Sequence, residues 1–367
     1  MHRRQFLELT GYGFALSTAL AAGMHSRAYA TQGKAAKMCY APASSNTPTV
    51  KWEPKAPPYR IAVSNSYIGN SWRTEMMKIA KAYAHKPEVA KHIAKFREGS
   101  AGNSVSQQAA EINQLVLAGF DAIVVDAANP TGLNSTIDHA VKAGVLVVSF
   151  DNVVTTDKAV IVDEDQYEMG KRRAQFVAKQ LKGKGTVLLV RGVEGTSVDA
   201  AHAKAAHDVF KHHPNIKVTQ VIGKWDNATA QKVTKNALAT QTVDGVVSGG
   251  GDTGIVRAFL QSGQTMVPIA GEADNGLRRL AAKHQFPMMS IGNSPAEAAV
   301  ALQVAIDILR GHRLPRSINL PLPTVTTDSL KAGVNYFPDQ PDSFYTDFNI
   351  PGCHTKLSLK EIQQQSV

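Results

Sequence analysis

Several features that mark common functional classes are missing from this sequence of 367 residues. Only two cysteines occur, Cys39 and Cys353, and their spacing offers no metal motif. No glycine fingerprint for a nicotinamide cofactor follows the first predicted strand. No nucleophile is recognised beside a base, and no metal-ligating cluster is recognised either. The sequence therefore predicts no enzyme activity, no metal and no cofactor.

Runs of like charge are missing as well. Lysine and arginine total 40 against 30 aspartate and glutamate, a formal net charge of +10, yet no five basic residues stand in a row. The lysines are scattered along predicted helices, as on solvated surfaces, so nucleic-acid binding is not predicted. A hydrophobic content of 43% with 19% charged residues is ordinary for a soluble protein, and the length suits two domains.

The N-terminus has the features of an export signal. Residues 3–7, Arg-Arg-Gln-Phe-Leu, are followed by a weakly apolar stretch at 11–23 and by the small residues Ala28 and Ala30. This order predicts a signal over residues 1–30 that is cleaved near Ala30, and a mature chain that works in the periplasm. The paired arginines resemble a twin-arginine signal, and an ordinary secretory signal is the alternative.

The two cysteines lie in tails that are predicted to be irregular, one before the first strand and one after the last helix. An even number of cysteines in an exported chain permits a disulfide. We expect Cys39 and Cys353 to pair and to tie the tails together. Two unpaired thiols are the alternative.

From Tyr59 onward the sequence alternates between predicted strands and predicted helices, which indicates parallel sheets in an α/β fold. A helix over 295–309 is apolar over much of its surface and is predicted to return to the first lobe. Residues 318–322 are then predicted to form the last crossing, and the aromatic tail from Ala332 is expected to pack on a lobe. The predicted units are a signal at 1–30, an irregular tail at 31–58, a first lobe at 59–164 plus 294–322, a second lobe at 165–293 plus 323–334, and a C-terminal tail at 335–367.

Polar and aromatic side chains follow several of the predicted strands. The apolar run at 59–63 leads into a polar and aromatic stretch at 64–73, and the run at 145–150 leads into Asp151. The same order recurs between residues 165 and 293. Ligands of open α/β sheets bind beyond the carboxyl ends of the strands. Two such halves therefore predict a two-lobed clamp around a small molecule.

Five motifs stand in order along the chain: the turn at 64–73, Phe150-Asp151, the segment 191–197, Gly250-Gly251-Asp252, and the segment 269–272. This set resembles the type I periplasmic binding proteins of bacterial ABC transporters, in the ribose- and galactose-binding branch. The resemblance covers roughly residues 59–330. It implies two Rossmann-like lobes with parallel sheets, joined by a three-segment hinge, that close on a sugar or a sugar alcohol.

The resemblance also implies which side chains contact the ligand. Aromatic rings such as Trp72 and Trp225 would cover the apolar C–H faces of a sugar, and a carboxylate such as Asp151 would accept two of its hydroxyls. Glu272 or Asp274 would supply the second carboxylate. The implied ligand-binding residues are Tyr67, Asn70, Trp72, Arg73, Asp151, Asn152, His202, Trp225, Asp252, Glu272, Asp274 and Asn293.

Departures from the family pattern bear on the ligand. Asn152 and His202 stand where the family has arginines, and Gly251 stands where it often has asparagine. Ribose itself is therefore not expected, and another pentose, a hexose or a sugar alcohol is favoured, with a non-sugar ligand left open.

Several of the implied residues have a structural alternative. Trp72 opens a helix and could instead be a core residue. Asp252 could instead cap the helix that it opens. Arg73 could instead pair with Glu75 or Asp151.

The predicted function is the substrate-binding component of an ABC transporter that delivers a sugar or sugar alcohol to a permease in the inner membrane. A ligand-binding subunit for a sensor kinase or chemoreceptor is the first alternative, and a periplasmic sugar-modifying enzyme is the second. A monomer is expected, because a clamp must open freely.

Overall fold

The computed structural model describes residues 39–350 and 352–367. The predicted export signal at residues 1–30 lies outside this part of the chain. Within the described residues, no helix combines the length and the apolar character that crossing a membrane requires.

Strands and helices alternate along most of the described chain. The strands are β1 (Tyr59–Asn65), β2 (Ile93–Ser100), β3 (Ala122–Asp126), β4 (Leu146–Phe150), β5 (Val160–Glu164), β6 (Lys184–Arg191), β7 (Asn215–Ile222), β8 (Gly245–Ser248), β9 (Ile269–Gly271), β10 (Met288–Ile291), β11 (Ser317–Leu320) and β12 (Thr324–Thr326). The helices are α1 (Ser71–Ala84), α2 (Pro87–Ala90), α3 (Val105–Leu117), α4 (Asn134–Lys142), α5 (Gln166–Gln180), α6 (Ser197–Phe210), α7 (Asn227–Thr240), α8 (Asp252–Gln261), α9 (Asn275–His284), α10 (Glu297–Leu309) and α11 (Leu359–Gln363).

The strands form two six-stranded sheets. The first sheet has the order β11-β5-β4-β3-β1-β2 and is parallel throughout. The second has the order β12-β10-β9-β8-β6-β7 and is parallel except at β12, which runs antiparallel to β10. The predicted fold class, two α/β lobes with parallel sheets, is confirmed. We call the first sheet with α1–α4 and α10 lobe 1, and the second sheet with α5–α9 lobe 2.

Helices cover both faces of each sheet, so the central strands are buried on both sides and are rich in valine and isoleucine. All five residues of β3, Ala-Ile-Val-Val-Asp, are buried, and so are all five of β4. Each lobe therefore has two apolar cores, one on each face of its sheet.

Side chains at the ends of strand-to-helix turns define where six of the helices begin. In each case an Asn, Ser, Thr or Asp side chain accepts a hydrogen bond from a backbone N–H of the first turn, which satisfies a group without an intrahelical partner. These capping residues are Asn70, Ser104, Asp165, Thr196, Asp226 and Asp274.

Helix α10 lies in the core of lobe 1, as its composition predicts. Twelve of its thirteen residues are buried, and it packs on α1, β3, β4 and β5. A helix that is apolar around most of its circumference is stable only inside a core. The chain thus returns from lobe 2 to lobe 1 after β10.

The chain passes between the lobes after β5, after β10, and between β11 and β12. The prediction that residues 318–322 form the last crossing was wrong in part. Residues 317–320 are strand β11, which pairs with β5 in lobe 1, and only residues 321–323 separate β11 from β12. Ile318 and Leu320 are buried at alternate positions of this segment, so it stays in the sheet beside β5 until Pro321 and Pro323 end the pairing.

Both tails pack on the lobes. Residues 41–50 run antiparallel to 314–319, with backbone hydrogen bonds such as Val50 N–H to the Leu314 carbonyl at 2.8 Å and Asn319 N–H to the Ala41 carbonyl at 2.8 Å. The C-terminal tail contacts both lobes, and a disulfide joins Cys353 in it to Cys39. The Cα atoms of the two cysteines are 4.7 Å apart, a usual separation for a disulfide.

We expect peptide mapping without reductant to recover Cys39 and Cys353 in one cross-linked peptide pair. The double variant Cys39→Ser/Cys353→Ser should lower the free energy of unfolding by about 2–4 kcal/mol, because the cross-link restricts the unfolded chain. Denaturant unfolding of the mature protein measures this loss. Wild type in reductant is the control and should match the variant. Recovery of two free thiols would contradict the assignment.

Candidate functional site

A cavity lies where the carboxyl ends of the two sheets face each other. In this arrangement of the lobes its volume is about 20 Å³, room for about one water molecule. Its lining comes from both lobes, from the second crossing and from the C-terminal tail: Asn70, Trp72, Arg73, Asp151, Val198, Trp225, Glu272, Asn293 and Tyr345. The cavity is therefore completed only when the two lobes approach each other.

Arg73 is the cation of the lobe 1 side, and its side chain is 1% exposed. Its guanidinium forms a bidentate pair with Asp126 at the end of β3 and donates to Asn65 Oδ1 at 2.6 Å. Asp151 Oδ2 lies 3.8 Å from Arg73 Nη2. The Tyr67 ring stacks under the guanidinium, with its centroid 4.5 Å from the Arg73 Cζ atom. The planar cation is thereby held in one orientation at the cavity wall.

Asp151 follows β4 and presents an unused acceptor. Its Oδ2 atom accepts a hydrogen bond from Asn152 Nδ2 at 2.6 Å, whereas Oδ1 is buried without a partner among the described residues. Burial, reinforced by the nearby Asp126 carboxylate and opposed by Arg73, raises the pKa of Asp151 well above its usual range. An unpaired buried carboxylate oxygen is costly, so this atom is suited to accept a hydroxyl from a ligand.

Glu272 follows β9 and is the carboxylate of the lobe 2 side. Its Oε2 accepts from Tyr345 Oη at 3.1 Å and its Oε1 from Asn293 Nδ2 at 3.4 Å. Arg173 Nη2 lies 3.7 Å from Oε1. Burial, opposed by the Arg173 cation, raises the pKa of Glu272 to about 8. A ligand hydroxyl that donates to Glu272 would favour its ionised form.

Two tryptophans provide the flat apolar surfaces of the cavity. Trp72 Nε1 donates to the Asn293 carbonyl at 2.8 Å, which joins α1 to the second crossing. Trp225 follows β7, and its ring lies against Gly192. A Cβ atom at 192 would lie 2.0 Å from Trp225 Nε1, so this position of the indole requires glycine there.

Three lining residues have a left-handed backbone, which is uncommon outside glycine. The φ angles are 52° at Asp151, 57° at Trp225 and 59° at Asn293. Such conformations cost of the order of 1–3 kcal/mol each and concentrate at binding sites. Here each one turns a side chain away from the strand direction and towards the cavity.

Seven of the sequence-predicted site residues line this cavity: Asn70, Trp72, Arg73, Asp151, Trp225, Glu272 and Asn293. Two lining residues were missed, Val198 and Tyr345. Val198 lies in the first turn of α6, next to the predicted 191–197 motif. Tyr345 lies in a tail whose aromatic residues predicted packing but carried no motif that pointed to the cavity.

Tyr67 and Asn152 lie directly behind the wall, where they contact Arg73 and Asp151 respectively. His202 lies deeper. Its Nε2 is 2.9 Å from Gln166 Oε1 and its Nδ1 is 3.4 Å from Arg173 Nη1. Burial, reinforced by the Arg173 cation, lowers the pKa of His202 well below its usual range. The imidazole is therefore neutral and orders side chains behind the cavity.

Asp252 and Asp274 have structural contacts in lobe 2. Asp252 Oδ2 accepts the Glu272 backbone N–H at 2.9 Å, which positions Glu272. Asp274 caps α9, since its Oδ1 accepts from the backbone of Gly276 at 2.8 Å and Leu277 at 3.2 Å. Neither side chain lines the cavity.

The sequence also contains a glycine pattern of dinucleotide-binding type after β8, at Gly249, Gly251 and Gly254. In the fold these glycines serve close packing. A Cβ atom at 254 would lie 1.9 Å from the Asn227 carbonyl oxygen, and one at 251 would lie 2.8 Å from the Ala230 Cβ. The space above this turn is occupied by α7, so the pattern leaves no room for a pyrophosphate.

Among residues 39–350 and 352–367, no group of three or more His, Cys, Asp or Glu side chains is arranged to hold a metal ion.

Comparisons with known proteins agree with this architecture. A family model described as a periplasmic binding protein domain matches residues 61–313. A xylitol-binding protein of Mycolicibacterium smegmatis is 27% identical over 245 residues, which cover 65% of this chain and 70% of that protein. A ribose import binding protein of Bacillus subtilis is 23% identical over 269 residues, which cover 72% of this chain and 86% of that protein.

Among solved structures, the crystal structure of an ABC transporter solute binding protein from Thermobispora bispora is similar, with a TM-score of 0.68 and 30% identity. The match covers 72% of this chain and 84% of that one. The family model spans more than half of the sequence, and the fold has the two parallel-sheet lobes that the relatives share. The chain therefore belongs to the periplasmic binding protein family, with the type I fold.

Proposed function

We propose that this protein is the periplasmic substrate-binding component of an ABC transporter and that it binds a neutral sugar or sugar alcohol between its lobes. The observation that carries the proposal is the cavity between the lobes, where two buried carboxylates face two indole rings. Asp151 stands on the lobe 1 side and Glu272 on the lobe 2 side. A ligand in contact with both would hold the lobes together.

The chemistry of the lining suits a polyhydroxylated carbon chain or ring. Carboxylates accept hydrogen bonds from hydroxyls, and Asp151 Oδ1 has no other partner among the described residues. Arg73 and Asn70 add donors on the lobe 1 side. The indoles of Trp72 and Trp225 provide surfaces for C–H groups. Arg73 is already neutralised by Asp126, so the site offers little attraction for an anionic ligand.

The cavity in this arrangement has a volume of about 20 Å³, which holds about one water molecule. A sugar or sugar alcohol would therefore enter while the lobes are further apart, and the lobes would then close around it. The xylitol-binding relative, at 27% identity, makes a sugar alcohol the first ligand to test.

Binding would select the closed arrangement, because only that arrangement brings Asp151 and Glu272 to the same ligand. The closed form is the state that a membrane permease would recognise. The predicted signal at residues 1–30 is the route by which the chain would reach the periplasm.

A thermal-shift screen of residues 31–367 should identify the ligand among xylitol, other pentitols, D-xylose, D-ribose and D-allose, with amino acids as a control set. A ligand at 100 times its dissociation constant adds about 2.7 kcal/mol, enough for a shift of a few degrees. Trp225→Ala should abolish the shift, since one of the two indole surfaces is lost. A shift with amino acids alone would contradict the proposal.

The matched control is Trp52→Ala. Trp52 is also partly buried, but it packs on the core of lobe 1 and does not line the cavity. This variant should lower the unfolding temperature yet retain the full ligand-induced shift. Equal loss of the shift in both tryptophan variants would mean that the effect is one of stability.

Affinity should increase as the pH rises towards 8. A ligand hydroxyl that donates to Glu272 lowers its pKa from the ligand-free value of about 8, so binding releases protons in this window and levels off above it. Isothermal titration in buffers of different ionisation enthalpy between pH 6 and 8.5 measures the protons released. Glu272→Gln should reduce the number of protons released, and any release that remains would come from Asp151, whose pKa is also raised by burial. Proton uptake on binding would contradict this role for Glu272.

A further inference from the structure

The C-terminal segment 335–367, which we call the strap, lies beyond the residues matched by the family model, which end at 313. Its first part is held by lobe 2. Arg278 of α9 donates to the Asn335 carbonyl at 3.0 Å and pairs with Asp347 at 2.9 Å. Asn275 Nδ2 lies within hydrogen-bonding distance of the Phe337 and Pro341 carbonyls. The strap therefore follows α9 as far as Asp347.

The last part of the strap is held by lobe 1. The buried side chains of Ile350, Leu357 and Ile362 belong to the apolar core that contains α1 and α10. Lys86, just beyond α1, donates to the Lys356 carbonyl at 2.9 Å. The disulfide with Cys39 fixes the same part of the strap covalently. The strap is thus a fourth connection between the lobes, in addition to the three-segment hinge.

The strap crosses from lobe 2 to lobe 1 beside the hinge and the cavity. Residues 344–346 pair antiparallel with 273–275, through Asn275 N–H to the Phe344 carbonyl at 2.8 Å and Thr346 N–H to the Ala273 carbonyl at 2.9 Å. Next along the chain, the Asp347 carbonyl accepts from Ser294 Oγ in the second crossing.

Tyr345 lies at the centre of the crossing segment 344–346 and contacts both lobes. Its backbone N–H donates to Glu75 Oε2 of α1 at 2.9 Å, in lobe 1. Its hydroxyl donates to Glu272 Oε2 at 3.1 Å, in lobe 2. The side chain is 4% exposed, and it forms part of the cavity wall. Tyr345 therefore contacts lobe 1, lobe 2 and the cavity, so a movement of the lobes would change its position relative to a bound ligand.

We propose that the strap takes part in ligand binding. It supplies Tyr345 as a ligand-binding and specificity-determining residue, and the Cys39–Cys353 disulfide holds the strap in the position that this role requires. This proposal rests on the proposed function for the identity of the ligand. The tyrosine hydroxyl orients the Glu272 carboxylate, so that its remaining lone pairs face the ligand. The ring forms part of the cavity wall, which Trp72 and Asn293 also line.

The first test removes only the hydroxyl. Tyr345→Phe should weaken binding of xylitol, or of the sugar that the screen identifies, by about 3–10-fold, the usual effect of one lost hydrogen bond. The losses should differ between D-xylose, D-ribose and xylitol, because only hydroxyls near Glu272 are affected. A role confined to folding would weaken all ligands alike. Affinities within twofold of wild type for every ligand would overturn the assignment of Tyr345.

The matched control is Tyr336→Phe. Tyr336 lies in the same strap but does not line the cavity, so this variant should bind every ligand as wild type does. Loss of affinity in the control equal to that of Tyr345→Phe would overturn a specific role for Tyr345.

The second test needs no ligand. Hydrogen exchange of the ligand-free protein should show slow exchange at the amides of 344–346 and 273–275, and faster exchange there in Cys39→Ser/Cys353→Ser. The same variant should bind ligand more weakly than wild type. Unchanged exchange at these amides would overturn the role of the disulfide.

The two tests separate this proposal from the proposed function. If wild type binds no carbohydrate, the proposed function fails and the ligand-binding role of Tyr345 fails with it. The exchange data then still decide whether the disulfide anchors the strap between the lobes. If wild type binds a sugar and Tyr345→Phe binds it equally well, only the inference about Tyr345 fails.

Discussion

The architecture of the site depends on one constraint, the burial of ionisable side chains at the carboxyl ends of two sheets. A buried charge is tolerated only when partners replace the water that it has lost. Arg73 meets this condition through Asp126 and Asn65, and Glu272 meets it in part through Arg173, Asn293 and Tyr345. Asp151 meets it incompletely, because one of its oxygens has no partner among the described residues. This oxygen belongs to a residue that lines the cavity, so a hydroxyl of a ligand can satisfy it.

The same constraint connects the site to the hinge. Glu164, at the end of β5, accepts the backbone N–H groups of Asn293 and Ser294, so one carboxylate joins the first crossing to the second. Burial, opposed by these two hydrogen bonds, raises the pKa of Glu164 to about 8. Asn293 in turn accepts from Trp72 through its carbonyl. A rotation of the lobes therefore changes contacts of residues that line the cavity, which is the coupling that a binding protein of this kind requires.

The fold could be predicted well from the sequence because local patterns are strong. The alternation of apolar strands with helices predicted the α/β class, and the apolar surface of 295–309 predicted its return to lobe 1. One error arose where a local pattern has two outcomes. A segment such as 317–320, with apolar residues at alternate positions, can cross between lobes or pair in a sheet, and only the position of β5 beside it decides. No nucleotide site was predicted at the glycines 249, 251 and 254, and their contacts with α7 agree with a role in packing.

The candidate site divides in the same way. Residues that immediately follow a strand, such as Asp151 and Glu272, were recognisable from the sequence, because the carboxyl end of a parallel strand faces the ligand cleft in this class of fold. Whether such a residue reaches the cavity was decided by tertiary structure. Asp274 caps a helix, and His202 is buried behind Arg173. Tyr345 comes to the cavity from nearly two hundred residues beyond Asp151, through a strap held by α9, by the core of lobe 1 and by a disulfide. By itself the sequence determined the elements, the two lobes and the residue types at their strand ends, since these depend on interactions between near neighbours. Only the tertiary structure decided which of those side chains share a cavity, because that depends on contacts between segments far apart in the chain.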